Sequence, residues 1–385
     1  MKTRYITCAA LLFSFVFSGA AIAEVLLSGD VRIRYHSLAS YGFGAPDIAL
    51  TRWDSRSRLQ ISGTTRSGIY AVGRVRLTGT AWNGEPDVTN YENVHVDRAL
   101  LGIPFSDSAS LEIGRVNDTI TDFLFEDIHF SGARAFSKLD DLTVKLLYAY
   151  SSEGKSSDNE YDVNEDDDTQ TFALCAEYAL SDKTTVGAAW LQFIDDDNSG
   201  SEDGYRASVF GDVDAGNFSF SAELAVTDPG ESSKEEDNGT GGFFQVNYAM
   251  KGLNLALQCG FTQHGFVPDV DWGYFILGGD EPTTAFNIGE NGDWIWAGLQ
   301  SNYAVSENLK MTGNIVYAHI DVPADGIDSL GKGVEVSGRF AYTLNERAQF
   351  SWTLGYLQPE FEGQIENYTE EEPALGFYAE IDIQF

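Results

Sequence analysis

Cysteine is nearly absent: the 385-residue chain holds three. A small secreted scaffold stapled by disulfides needs more than that. Cys8 lies before an apolar leader core, where it makes no lipid-anchor site, and Cys175 and Cys259 fall on separate, non-adjacent strands, so no disulfide is expected. Basic residues are scarce too, 24 Lys and Arg against 59 Asp and Glu, for a net charge of −35. That excludes nucleic acid as a partner, because phosphate binding needs a basic surface. Histidine is limited to His36, His95, His129, His264 and His319, and neither G-x-S-x-G nor H-E-x-x-H occurs. A hydrolase would therefore lack a recognisable nucleophile or base constellation. No motif calls for a cofactor. Beyond the leader no apolar run is long enough for a membrane-spanning helix, and helical spacing is rare throughout.

The leader itself is legible. Lys2 and Arg4 precede the apolar stretch 9–22, and Ala21-Ile22-Ala23 is a small-x-small cleavage site. This is the pattern of a secretory signal peptide, expected to be cut after Ala23. Its apolar core is shorter than the ~20 residues a spanning helix needs. Residues 1–23 are thus read as signal and 24–385 as one domain, since no linker divides the remainder.

What fills that domain is period-two alternation. Val31, Ile33 and Tyr35 alternate with Asp30, Arg32, Arg34 and His36; Phe350, Trp352, Leu354 and Tyr356 alternate with Gln349, Ser351 and Thr353. Such runs give one apolar and one polar face, which suits a soluble sandwich or, turned inside out, a transmembrane barrel. The barrel is favoured by strands of about ten residues, by aromatics near strand ends (Tyr148, Trp190, Tyr303, Tyr317), and by connections that alternate between short and long. Eight tight turns include 66–68, 138–141, 214–217 and 250–252; nine long connections include 117–131, 152–168, 195–203 and 263–292. The expected fold is an all-β, transmembrane antiparallel β-barrel of about eighteen strands, with sixteen the alternative count. Short turns belong on the periplasmic side and long loops outside. First and last strands must pair, because hydrocarbon tolerates no open sheet edge.

Ten arginines fall between positions 32 and 115, and no lysine occurs between 24 and 137. Alternation puts Arg32, Arg34, Arg56, Arg58, Arg74 and Arg76 on the polar face of successive strands. A charge on the lipid face costs roughly 2–4 kcal/mol at mid-depth, so these side chains are expected in the lumen as a basic wall. Pairing with lumen carboxylates for rigidity is a compatible role. Acidic residues crowd the long loops, as in "YDVNEDDD" and "IDDDNSGSED". Together they predict a negative outer mouth and a mild cation preference. Asp195, Asp197 and Ser199 follow the order of a calcium loop, a weak metal candidate because Arg206 stands where the closing Glu belongs.

The stretch "DRALLGIPFSDSASLEIGRVNDTITDFLFEDIHFSGARAF", 97–136, resembles the Gram-negative general porins. Arg98, Ala99, Gly102, Leu111, Ile113, Gly114 and Arg115, then Asp122 beside Phe123, carry the likeness, with Leu100 and Ile103 departing from it; "GDVRIRY" and the terminal Phe385 add to it. The resemblance implies a water-filled, homotrimeric outer-membrane channel for small hydrophilic solutes, set in outer-membrane lipid and lipopolysaccharide. Its third loop would fold inward, with Asp118, Asp122, Glu126 and Asp127 as constriction acids and Phe123, Leu124 and Phe125 pinning it. Arg98 and Arg115 would join the wall, and Phe385 would be read by the barrel-insertion machinery. Strict alternation turns both Arg98 and Arg115 toward lipid; a bulge at Gly114 would reset the register near Arg115, and the lipid-face cost places both in the lumen. Alternatives are a substrate-selective channel, with Trp272, Trp294 and Trp296 as a sugar slide or the arginines as an oxyanion route, and, remotely, a barrel hydrolase.

Overall fold

The structure, a computed structural model, describes residues 22–39, 50–79, 94–121, 123–124, 128–152, 169–195, 204–228, 238–268, 275–277, 288–289, 292–321, 329–362 and 373–385. They form eighteen strands: β1 (Ile22–Ala39), β2 (Leu50–Thr65), β3 (Tyr70–Gly79), β4 (Val94–Ser106), β5 (Ala109–Asp118), β6 (Ile128–Leu139), β7 (Leu142–Ser152), β8 (Thr169–Ser181), β9 (Thr184–Asp195), β10 (Gly204–Ala215), β11 (Phe218–Thr227), β12 (Gly239–Met250), β13 (Leu253–Gln263), β14 (Asp293–Ala304), β15 (Leu309–Asp321), β16 (Ser329–Asn345), β17 (Ala348–Glu362) and β18 (Ala374–Gln384). Each strand pairs antiparallel with its neighbours in chain order, and β1 pairs β18 from Asp30↔Gln384 to Ala39↔Leu375. The sheet is closed, with eighteen strands rather than sixteen.

Alternation explains the inside-out burial. On β13, Leu257 is 55% exposed and Cys259 is exposed, whereas Gln258 and Thr262 between and beyond them are buried. On β18, Leu375, Ile381 and Ile383 are exposed while Tyr378 is buried. A soluble sandwich would reverse these faces. In hydrocarbon an exposed aliphatic row is the favourable arrangement, and the polar residues line the interior. Cys175 faces inward and is buried, so the two described cysteines lie on opposite sides of the wall.

One irregularity settles a conflict in the sequence pattern. Between β3 and β4, Arg74 pairs with Arg98 but Val75 pairs with Val96, so Asp97 is an extra residue. This β-bulge keeps Val94 and Val96 exposed outward while Arg98 turns inward beside Arg74. No such slip occurs in β5. The β4–β5 pairing runs Leu101↔Ile113, Leu100↔Gly114, Ala99↔Arg115 without a break. Gly114 has φ of +132°, and a Cβ there would meet the Ala99 carbonyl oxygen at 2.1 Å, so its role is close approach rather than re-registration. Arg115 therefore sits with Ala99 and Ser131 on the face of Leu101 and Ile113, outside the basic wall it was expected to join. It lies toward the loop end of β5, where a long side chain can reach the interface and the cost of an outward charge is about 0–1 kcal/mol.

Candidate pore constriction

The inner face of β1–β7 carries a charged lattice. Arg34 Nε donates to Asp54 Oδ1 at 2.7 Å, and His36 Nε2 lies 2.6 Å from Asp54 Oδ2. Asp30 accepts from Arg56 Nη2 at 3.1 Å and from Arg58 Nε at 2.7 Å. Arg74 Nε donates to the bulged Asp97 at 2.8 Å. Glu112 accepts from Tyr70 and Arg134. Asp118 lies between Arg134 Nη1, 3.0 Å away, and Lys145 Nζ, 3.1 Å away. Arg76 is on the same face, opposite Arg58 and His95. These pairs hold the guanidinium groups in fixed positions, so rigidity is one function of the wall.

Three arginines are less well matched. Arg32 Nε is 4.0 Å from Glu380, which is also 3.6 Å from Arg339. Arg98 Nη2 donates to the amide oxygen of Asn117 at 2.9 Å, and its Nε is buried with no partner. Arg52, in register with His36, also has a buried Nε with no partner. Among the described residues neither Arg98 nor Arg52 forms an ion pair.

From the two edges of this wall, two connections fold inward. The first follows β5. Lys145 Nζ donates to the Thr119 carbonyl at 2.6 Å and the Cys175 thiol to the Ile120 carbonyl at 3.8 Å. Thr121 Oγ1 donates to buried Glu223 at 2.8 Å, and Arg206 Nη1 donates to the Leu124 carbonyl at 3.2 Å. These anchors lie on β7, β8, β11 and β10, so the segment runs along the inner face of the barrel away from the edge of the charged wall. Phe123 and Leu124 are fully buried, Phe123 against Phe243 at 5.4 Å and stacked on Phe266 at 5.3 Å. Phe266 belongs to the second inward segment, between β13 and β14, so the two loops meet there.

That second segment is held by one carboxylate. Glu335 on β16 is fully buried and accepts the backbone N–H groups of Phe275, Ile276 and Leu277 at 2.8, 2.8 and 2.7 Å. Glycines on neighbouring strands make room for the side chains. A Cβ at Gly355 would meet Phe275 at 2.1 Å, one at Gly376 would meet it at 2.3 Å, and one at Gly333 would meet Leu277 at 3.1 Å.

Several expected site residues fall elsewhere. Asp118 does not oppose the basic wall; it is part of it, through Arg134 and Lys145. Asp122, Phe125, Glu126, Asp127 and Trp272 lie outside the described residues, as do Asp197, Ser199 and the Asp195 side chain of the calcium candidate. Trp294 and Trp296 are 1% exposed, so they cannot serve as a stacking slide. Arg206, the residue that spoiled the calcium pattern, holds the first loop instead. The sequence reading missed Arg52, Arg134, Lys145, Glu223 and Glu335, and it named none of the wall's acids as counter-ions. Alternation alone placed Asp30, Glu380 and Asp382 on the arginine face; it does not say which base each acid meets.

A family model for Gram-negative porins matches residues 7–323. The chain belongs to that family. The protein is accordingly an outer-membrane channel that passes solutes, not an enzyme. Among curated proteins none matches it. In solved structures this porin's fold resembles Pseudomonas aeruginosa OprD, with TM-score 0.64 at 12% identity over 96% of this chain and 97% of that one. It also resembles a BenF-like porin from Pseudomonas fluorescens Pf-5, with TM-score 0.64 at 12% identity over 94% and 99%. The outer membrane protein opdK of Pseudomonas aeruginosa gives TM-score 0.60 at 12% identity over 94% and 99%. At that identity the likeness is one of fold.

Proposed function

We propose that this porin conducts small hydrophilic solutes passively through an opening bounded by the β1–β7 wall on one side and the two inward loops on the other. The under-neutralised Arg32, Arg52 and Arg98 carry the reading. They leave positive charge facing the passage, which favours anionic and dipolar solutes there, while the paired arginines keep the wall rigid. Acidic runs in the outer loops act in the opposite sense at the mouth. The net selectivity is the balance of the two.

The same reading includes removal of residues 1–23 on export, assembly as a homotrimer in outer-membrane lipid and lipopolysaccharide, and recognition of Phe385 by the insertion machinery. Support for the last is local. Phe385 closes the β1–β18 seam, exchanging backbone hydrogen bonds with Gly29 at 2.9 and 3.0 Å.

The test is the zero-current potential across planar bilayers in a salt gradient. Replacing Arg32, Arg52 and Arg98 together by glutamine should move it toward cation preference. An unchanged potential, with conductance intact, overturns the arginine reading. Absence of any conductance from folded wild-type protein would overturn the channel itself.

A further inference from the structure

The lumen is divided by chemistry. Five strands round from either edge of the β1–β7 wall, the inward-facing positions of β12, β13 and β14 carry no charge at all among the described residues. Their halves next to the short turns are covered instead by carboxamides: Gln245, Asn247, Asn254, Gln258, Gln300 and Asn302. These six residues line one recess on the inner wall. The recess begins within a few residues of the 250–252 turn, on the side of the inward loops away from the long connections, so a solute that clears the constriction meets it next.

The amides are ordered into chains. Trp296 Nε1 donates to Gln258 Oε1 at 3.0 Å, Gln258 Nε2 to Gln245 Oε1 at 2.9 Å, Gln245 Nε2 to Asn247 Oδ1 at 2.9 Å, and Asn247 Nδ2 to Ser219 Oγ at 3.1 Å. On the next strands Thr312 Oγ1 donates to Asn302 Oδ1 at 2.6 Å and Asn302 Nδ2 to Gln300 Oε1 at 2.9 Å. A carboxamide has two N–H donors and an oxygen that accepts two bonds. Gln245, Asn247 and Asn302 each spend one of each in the chain, which fixes their orientation and leaves one donor and one acceptor uncommitted on residues that line the recess. Asn254 is exposed and contributes its whole amide.

We propose that this carboxamide wall is a binding station for uncharged polyhydroxylated solutes, of the sugar-alcohol or monosaccharide type. A hydroxyl both donates and accepts, so it uses both halves of what each amide offers. A carboxylate has no donor and leaves the acceptors unmet, and a cation leaves the donors unmet. Exchange of hydration water for amide partners at a neutral wall also avoids stripping water from a charge. The inference requires the channel but not the arginine selectivity, so the two fail separately.

Swelling of proteoliposomes in sorbitol tests it, with tetraethylene glycol as the probe of similar size whose ether oxygens only accept hydrogen bonds and whose donors are confined to its two terminal hydroxyls. Sorbitol entry should saturate with concentration and tetraethylene glycol entry should not. The double substitution Asn247→Leu with Asn302→Leu should abolish saturation and slow sorbitol entry at low concentration by about fivefold, the scale of one or two lost hydrogen bonds. Asn247→Thr with Asn302→Thr keeps one hydroxyl at each position, suits a strand, and should fall between. Non-saturating sorbitol entry in the wild type, or equal behaviour of the wild type and both doubles in conductive barrels, would overturn the proposal.

Discussion

Replacing Glu335 by glutamine removes one charge and one acceptor while keeping the shape. In the native protein the carboxylate takes three backbone N–H groups, one on Oε1 and two on Oε2. The amide has a single oxygen, so Glu335→Gln keeps at most two of the three bonds and sets its own N–H₂ against another donor. Hydrogen bonds to a charged group are worth roughly 1.5–3 kcal/mol each. Losing one or two of them is offset in part by no longer holding a fully buried carboxylate, and the net loss is about 2 kcal/mol. That corresponds to a ~30-fold rise in the open fraction of the segment. Burial of Phe275, Ile276 and Leu277 still favours docking by roughly 1.5–3 kcal/mol per side chain, so the loop stays in but opens more often. Hydrogen exchange of the residue 275–277 amides in detergent-folded barrels reads this directly. Protection should fall ~30-fold, with noisier open-channel current. Unchanged protection at those amides would refute the idea that the carboxylate holds the loop.

Two other substitutions probe tight contacts. Gly376→Val builds a side chain into Phe275, which a Cβ alone would meet at 2.3 Å; it should raise single-channel conductance by displacing the loop while the barrel still folds. Gly29→Val meets the Arg58 carbonyl oxygen at 2.5 Å and the Phe385 ring at 2.6 Å. Overpacking of this kind costs roughly 1–3 kcal/mol, and here it should lower the yield of heat-modifiable, inserted barrel more than the conductance of molecules that do insert.

Much of this fold was written in period two. Tyr378, Glu380 and Asp382 face inward and Phe377, Ile381 and Ile383 outward, as alternation requires, and the turn rhythm gave the strand number. Partners were not legible, because the residues that meet are far apart in the chain: Arg56 and Asp30 are 26 residues apart, Thr121 and Glu223 are 102 apart. Loop docking was hidden in another way. Gly355 and Gly376 read in sequence as weak strand positions, and only their pairing across β17 and β18 makes a slot for Phe275. At Arg98 the lipid-face cost gave the right side of the wall, but alternation failed there for a third reason. A period-two rule has no term for an extra residue, and Asp97 is one.

The bulge therefore makes a sharp demand on β4. With Asp97 present, Val94 and Val96 face out and Arg98 faces in only because one residue is skipped. Deleting Asp97 leaves plain alternation through His95, Val96 and Arg98 with every face unchanged. The loss includes the 2.8 Å pair with Arg74, in which the Asp97 carboxylate is buried, so it exceeds that of a surface ion pair and is roughly 1–3 kcal/mol. Deleting Ala99 instead either absorbs the bulge, which keeps Val96 and Leu101 outward but turns Arg98 out, or keeps the bulge and turns one part of β4 inside out. That sends Arg98 into lipid or Leu101 and Phe105 into the lumen, and an arginine at mid-depth alone costs roughly 2–4 kcal/mol. Folded yield from the heat-shift of the band on cold electrophoresis separates the two. The Asp97 deletion should give clearly more folded barrel than the Ala99 deletion, which should give little. Equal damage from both would mean that Arg98 reaches the lumen by some route other than the bulge.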